Sequence, residues 1–222
     1  MAPAYIVPVV VYLVGTNVVA MFGDEYYPVG YSIVAFLTLV VLLYLQSGKN
    51  VLRPHFKVGW GIVAGVLGLF IWLFFSHLHL ESYITPYLPG PLRPPPRVGY
   101  NPFEELSSGL GVWSFIAVRL LGIAVLVPLA EELFWRGFLL RWLIDPEWEK
   151  IKLGEFTWES LGIVVLMFAL AHPEWFAAAA WCLLINGLLY WKKDLWQCVV
   201  AHAVTNLLLA IYVMQTGEWW LW

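Results

Sequence analysis

Long apolar runs separated by short polar breaks organise this chain. Apolar residues fill 4–22, closed by Gly23-Asp24-Glu25, then 29–46, closed by Ser47-Gly48-Lys49-Asn50, then 58–78. Each run is near the ~20 residues that a helix needs to cross the hydrocarbon core of a bilayer. The third carries Gly59, Gly61, Gly65 and Gly68, small residues that let a neighbouring helix approach closely. Residues 81–108 break the pattern. Pro86, Pro89, Pro91, Pro94, Pro95, Pro96 and Pro102, with Gly90 and Gly99, exclude a continuous helix and predict a long external loop. Residues 111–144 then predict one helix of 34 residues, roughly 50 Å long, kinked at Pro128 and ended by Asp145-Pro146. Two shorter runs, 158–172 and 174–191, meet at His172-Pro173. The residue before a proline disfavours the α region, and the proline can open the next helix. A last run covers 194–215. The pattern predicts an all-α membrane protein: a polytopic bundle of about seven transmembrane helices, one of them long and kinked. It reads as a single polytopic domain over 1–222, with three accessory helices in 1–80, the proline-rich loop in 81–108 and a core in 111–215.

Composition sharpens this picture. Of 222 residues, 61% are hydrophobic and only 12% are charged, which excludes an ordinary soluble domain. The net charge of -3 comes without a basic or acidic block, so nothing points to nucleic acid. Fourteen tryptophans suit a protein with many helix ends at the water–lipid interface. Cys182 and Cys198 lie in apolar runs without CxxC spacing and read as buried small hydrophobes. The first apolar run has no basic region before it, so it is expected to stay as a helix. Lys49, Arg53 and Lys57, then Arg141, Lys150 and Lys152, then Lys192 and Lys193 all fall on one side. They are eight of the twelve basic residues, and only Arg93 and Arg97 sit in loops on the other side. That bias predicts an N-terminus inside and a C-terminus outside.

The chemistry lies in the few polar residues within the apolar runs. Pro128-Leu-Ala-Glu-Glu-Leu-Phe-Trp-Arg136 places two carboxylates and a guanidinium at membrane depth, where ionisable groups are costly. Glu132 and Arg136 stand four apart, acid first, the favourable orientation for a helical ion pair. Glu131 is turned about 100° from Glu132 and cannot share that arginine equally. His172 ends a helix. His202 and Asn206 share one face of the last helix, with Thr205 close by, and Asn186 reads as an interhelical hydrogen bond. Each group taken singly is explained by helix packing. Glu131, His172, His202 and Asn206 together come from three helices, each near the middle of an apolar stretch, which packing alone gives no reason for.

Glu131-Glu132-x-x-x-Arg136, Phe168-x-x-x-His172 and His202-x-x-x-Asn206, in that order on successive helices, resemble the CPBP (Abi) family of intramembrane glutamic endopeptidases. The type II CAAX prenyl endopeptidases and their prokaryotic relatives belong to that family. The resemblance covers about residues 111–215, which it makes a CPBP-like catalytic core. It implies that Glu131 and His172 activate a water, that His202 and Asn206 stabilise the oxyanion, and that Glu132 and Arg136 support them as a structural ion pair. It also implies no metal and no cofactor, a peptide or membrane-associated protein as substrate, and a multi-pass protein of a prokaryotic cell membrane. The first three helices and the loop match no motif. Two other readings stand beside it. One is a zinc-dependent membrane protease using Glu131, His172 and His202 as ligands, although HExxH is absent. The other is a transporter or binding protein with a proton-relay carboxylate, although no internal repeat is present. Helical rise puts His172 deeper than Glu131 and His202. Convergence therefore predicts that the 158–172 helix is tilted or begins below the surface, with a cavity opening toward the inner side.

Overall fold

A computed structural model describes residues 2–46, 52–90 and 99–222. The sequence features at Ser47–Asn50, and the basic residues Lys49, Arg93 and Arg97, lie outside the described residues. Seven long helices carry the fold: α1 (Pro3–Ala20), α2 (Tyr27–Gln46), α3 (Gly59–His77), α4 (Gly109–Trp142), α5 (Trp158–Leu170), α6 (Trp175–Lys192) and α7 (Leu195–Thr216). No strand occurs among the described residues. The helices match the apolar runs to within a few residues, because the polar and proline-containing breaks also stop the backbone hydrogen bonding.

The chain is a multi-pass helical membrane protein. Five helices are long and apolar enough to cross a bilayer: α1, α2, α3 extended to Tyr87, α4 and α7. Between 28% and 44% of each span is buried inside the bundle, so the remaining apolar surface requires lipid as its solvent. The expectation of seven spans resolves into these five and the α5–α6 pair. Helix α5 has only 13 residues, and α6 is not among the five spans.

Helix α7 lies directly against α3. A Cβ added to Gly61, Gly65 or Gly68 would come within 2.6 Å of Gln197 O, Ala201 O or Thr205 Oγ1, so the glycines are what allow the two backbones to touch. The contact is hydrogen-bonded too: Thr205 Oγ1 donates to Gly65 O at 2.8 Å, and Gly61 N–H donates to Gln197 Oε1 at 3.1 Å. Gly59 takes no part, since nothing lies within 4 Å of its added Cβ. On the other side, α1 and α2 pack as an antiparallel pair through Gly15 against Val34 and Gly30 against Val19.

Helix α4 is the long kinked element, and its irregularity is spread over two widened stretches. Gly122–Leu126 and Leu133–Leu139 are π-helical, with α-helical turns between and around them. In the first, Val127 N–H bonds to Gly122 O, five residues back. The next carbonyl in that register, Ile123 O, faces Pro128, which has no N–H. Asn206 supplies the missing donor: its Nδ2 bonds to Ile123 O at 2.8 Å. The proline thus creates a vacancy in α4 that a side chain of α7 fills.

Candidate active site

Glu131 and Glu132 leave α4 in different directions and meet different surroundings. Glu132 and Arg136, both fully buried, form the i, i+4 ion pair at 3.1 Å. The same Glu132 oxygen, Oε1, accepts from His202 Nδ1 at 2.8 Å. Arg136 turns its Nε to Asn186 Oδ1 at 3.0 Å and a terminal nitrogen to Cys182 Sγ at 3.3 Å. Its guanidinium also lies over the rings of Phe168 and Trp181, at 5.1 and 5.4 Å from their centroids. One carboxylate thus neutralises the arginine and fixes the His202 ring, and the arginine ties α4 to α6. The interhelical role expected of Asn186 is this bond. Cys182, beyond being a small buried group, serves as an acceptor.

Glu131 stands apart from that network. It is 6% exposed, makes no hydrogen bond among the described residues, and its Oε2 is buried without a partner. It faces a cavity of about 160 Å³. His172, His202 and Asn206 line the same cavity, so the four residues singled out from sequence come together around one hollow. Glu132 and Arg136 lie behind its wall. Trp72, Phe168, Trp181 and Trp222 provide much of the remaining lining.

The side chains around the hollow are oriented by identifiable partners. His172 Nδ1 donates to Phe168 O at 2.7 Å, since a carbonyl can only accept, which makes Nε2 the acceptor nitrogen of the neutral ring. The ring stacks on Phe168 with centroids 4.4 Å apart and meets Trp72 edge-on at 5.8 Å. His202 gives Nδ1–H to Glu132, so its Nε2 can donate only when the ring is an imidazolium. Trp181 packs edge-on against His202 at 4.6 Å and bonds through Nε1 to Thr205 Oγ1. Thr205, close to this face in sequence, is thereby committed to holding α3, α6 and α7 together. Asn206 is held by the Ile123 carbonyl, which sets the direction of its amide.

The lining gives the direction in which the cavity extends. Along α7 the lining runs from His202 through Asn206 to Val213, and then to Leu221 and Trp222, away from the Arg141 end of α4. Sequence reasoning missed Trp72 and Trp222. Among fourteen tryptophans, nothing in spacing marks these two as cavity-lining. Among the described residues, no group of three or more His, Cys, Asp or Glu side chains is placed to hold a metal ion, so the zinc reading gains no ligand set.

A helical membrane bundle with ionisable groups converging on an internal hollow defines the class. In a comparison with protein families, residues 113–208 match the family described as Type II CAAX prenyl endopeptidase Rce1-like. This bears out the resemblance carried by the three motifs and supports a protease, a hydrolase, at the level of the family. The matched stretch contains α5, α6, most of α4 and the first two-thirds of α7. It leaves out α1–α3 and residues 217–222. No curated protein and no solved structure matched the chain.

Proposed function

We propose that the protein is an intramembrane endopeptidase that hydrolyses a peptide bond with a water activated by Glu131 and His172. The observation that carries this reading is the convergence of four side chains from three separate segments on one buried hollow, with the Glu131 carboxylate left without a partner. A carboxylate that the fold does not use is available to take a proton from water. His172 lines the same hollow. The water adds to the scissile carbonyl, and the oxygen that gains negative charge is received by Asn206 and by His202 in its imidazolium form. Glu132 accepts from His202 Nδ1 in either state, and with Arg136 charged as well the trio carries one net positive charge when the imidazolium forms, which favours the developing oxyanion. The proton held by Glu131 then passes to the leaving amine, which restores the carboxylate. The substrate is a peptide or membrane-associated protein, and the chain is read as lying in a prokaryotic cell membrane with its N-terminus inside.

The test is cleavage of a candidate membrane-associated peptide by purified protein in lipid nanodiscs. Glu131→Gln and His172→Ala should each abolish cleavage while the protein keeps its thermal unfolding midpoint. Cleavage at the wild-type rate by folded Glu131→Gln would overturn the assignment. The transporter reading would require uptake into proteoliposomes without cleavage.

A further inference from the structure

Helices α3 and α6 enclose a groove that shares no lining residue with the hollow around Glu131. Trp60 meets Trp191 at one end, and Gly68 lies against Trp181 beyond the other, so the two helices run antiparallel. The groove between them holds about 350 Å³. One face of each helix lines it: Trp60, Val63 and Leu67 on α3, and Leu183, Gly187 and Trp191 on α6. The spacings of three, four and eight residues are those of a single helix face. Its large apolar side chains, Trp60, Val63, Leu67, Leu183 and Trp191, are 47% to 59% exposed, so no part of the described chain covers them.

Gly187 keeps the groove open. A Cβ added there would meet nothing within 4 Å, whereas at Gly61, Gly65 or Gly68 it would strike a neighbouring helix. Glycine is the poorest helix former after proline, and no contact within the chain calls for it at this point. One end of the groove is cationic. The rings of Trp60 and Trp191 meet edge-on at 4.7 Å, and the Lys192 ammonium lies over both, 3.5 Å from the Trp191 centroid and 5.0 Å from that of Trp60. Lys57 stands two residues before α3 and Lys193 directly after α6, so both belong to this end. None of the three ammonium groups pairs with a carboxylate among the described residues. The adjacent acid, Asp194, is already engaged by His55 Nε2 at 2.8 Å and by the backbone N–H groups of Trp196 and Gln197.

We propose that this groove binds one anionic phospholipid, with an acyl chain laid between α3 and α6 and the headgroup phosphate at the Lys192 ammonium. From Trp60 to Leu67, and from Trp191 back to Leu183, the groove is roughly 10–12 Å long at the helical rise, which takes the upper part of an acyl chain. Apolar walls alone would accept any lipid, so the charge does the selecting. Three ammonium groups without carboxylates favour a headgroup of net negative charge, whereas a choline or ethanolamine headgroup would bring a further cation to the same place. The two indoles fall where chain meets headgroup, the level at which tryptophan is enriched in membrane proteins.

Native mass spectrometry of the full chain, stripped of lipid in detergent, tests this with two lipids of identical chains, dioleoyl phosphatidylglycerol and dioleoyl phosphatidylcholine. One phosphatidylglycerol should be retained with a Kd about tenfold or more below that of phosphatidylcholine. Gly187→Leu grows a side chain into the empty space and should weaken phosphatidylglycerol binding by about tenfold, with the lipid-free unfolding midpoint unchanged. Lys192→Gln leaves the groove intact and should cut the preference between the two lipids by about fivefold. It stands as the test if Gly187→Leu does not fold. Glycerol phosphate, which has the anion without the chain, should not displace the lipid. Equal retention of both lipids, a preference for phosphatidylcholine, displacement by glycerol phosphate, or binding unchanged in either folded variant would overturn the site. So would a dimer of the chain that Gly187→Leu disperses, since the groove would then be filled by a second copy. Nothing is cleaved in this assay, so none of these results bears on the endopeptidase reading.

Discussion

The cavity and the network behind it diverge from a single turn of α4, and they differ in how many of their polar groups are met. On the network side, Glu132 Oε1 serves two donors while its Oε2 is left without one, Arg136 spreads its nitrogens over three partners, and two aromatic faces close the shell. Such a cluster is rigid, and it pins α4, α6 and α7 to one another. On the cavity side, Glu131, Trp72 and Trp222 all hold buried polar atoms with no partner among the described residues. A buried polar group normally finds a partner, so unmet groups gathered on one hollow point to a ligand or water there. Two neighbouring carboxylates thus differ: one ties the helices together, and the other is the one we propose for the chemistry.

That contrast is broken most severely at Glu131. Glu131→Gln should remove at least about a thousandfold of the turnover rate, roughly 4 kcal/mol in the barrier, and leave unfolding almost unchanged. Rate assays paired with thermal unfolding would show the two readouts separate. Glu132→Ala should do the reverse first: stranding the Arg136 charge costs about 3–5 kcal/mol of stability, seen as a large fall in the unfolding midpoint, with activity lost as a consequence. If Glu132→Ala protein remained as stable as wild type, the network would not be structural. Asn206→Ala should lower turnover by about a hundred- to a thousandfold, the usual effect of losing one donor to the developing oxyanion. Substrate affinity should change far less, which initial-rate kinetics resolves. The smallest effect belongs to Pro128→Ala. It returns an N–H to α4 that competes with Asn206 for Ile123 O, worth about 1 kcal/mol, so turnover should drop roughly fivefold with no loss of stability. An unchanged rate would mean that the Ile123 bond does not position the amide.

Much of the fold was legible because membrane helices write themselves into sequence as uninterrupted apolar length. The glycines at 61, 65 and 68 announced a close helix contact, and the acid-before-base spacing of Glu132 and Arg136 announced their pair. The convergence of Glu131, His172, His202 and Asn206 was legible too, from the cost of placing polar groups in lipid. What stayed hidden depends on rotation and depth. The Glu132–His202 bond requires a particular rotation of α7, set by its glycine-mediated contact with α3. The direction of the cavity depends on how α4 widens and where α5 stops. Trp72 and Trp222 became visible only as walls, because an indole at a cavity and an indole at a lipid surface look the same in a sequence.

The division of the cavity wall has a further consequence. The groups proposed to split the bond stand on α4, in the turn after α5 and on α7, within residues 113–208, whereas Trp72 and Trp222 come from outside that stretch. Exchange of α3 and the closing residues between relatives would then reshape what the hollow admits while the hydrolytic machinery stays as it is. On the proposed reading, part of the selecting wall is carried by segments separate from the cutting groups, so selectivity would be free to drift without a matching change in the chemistry.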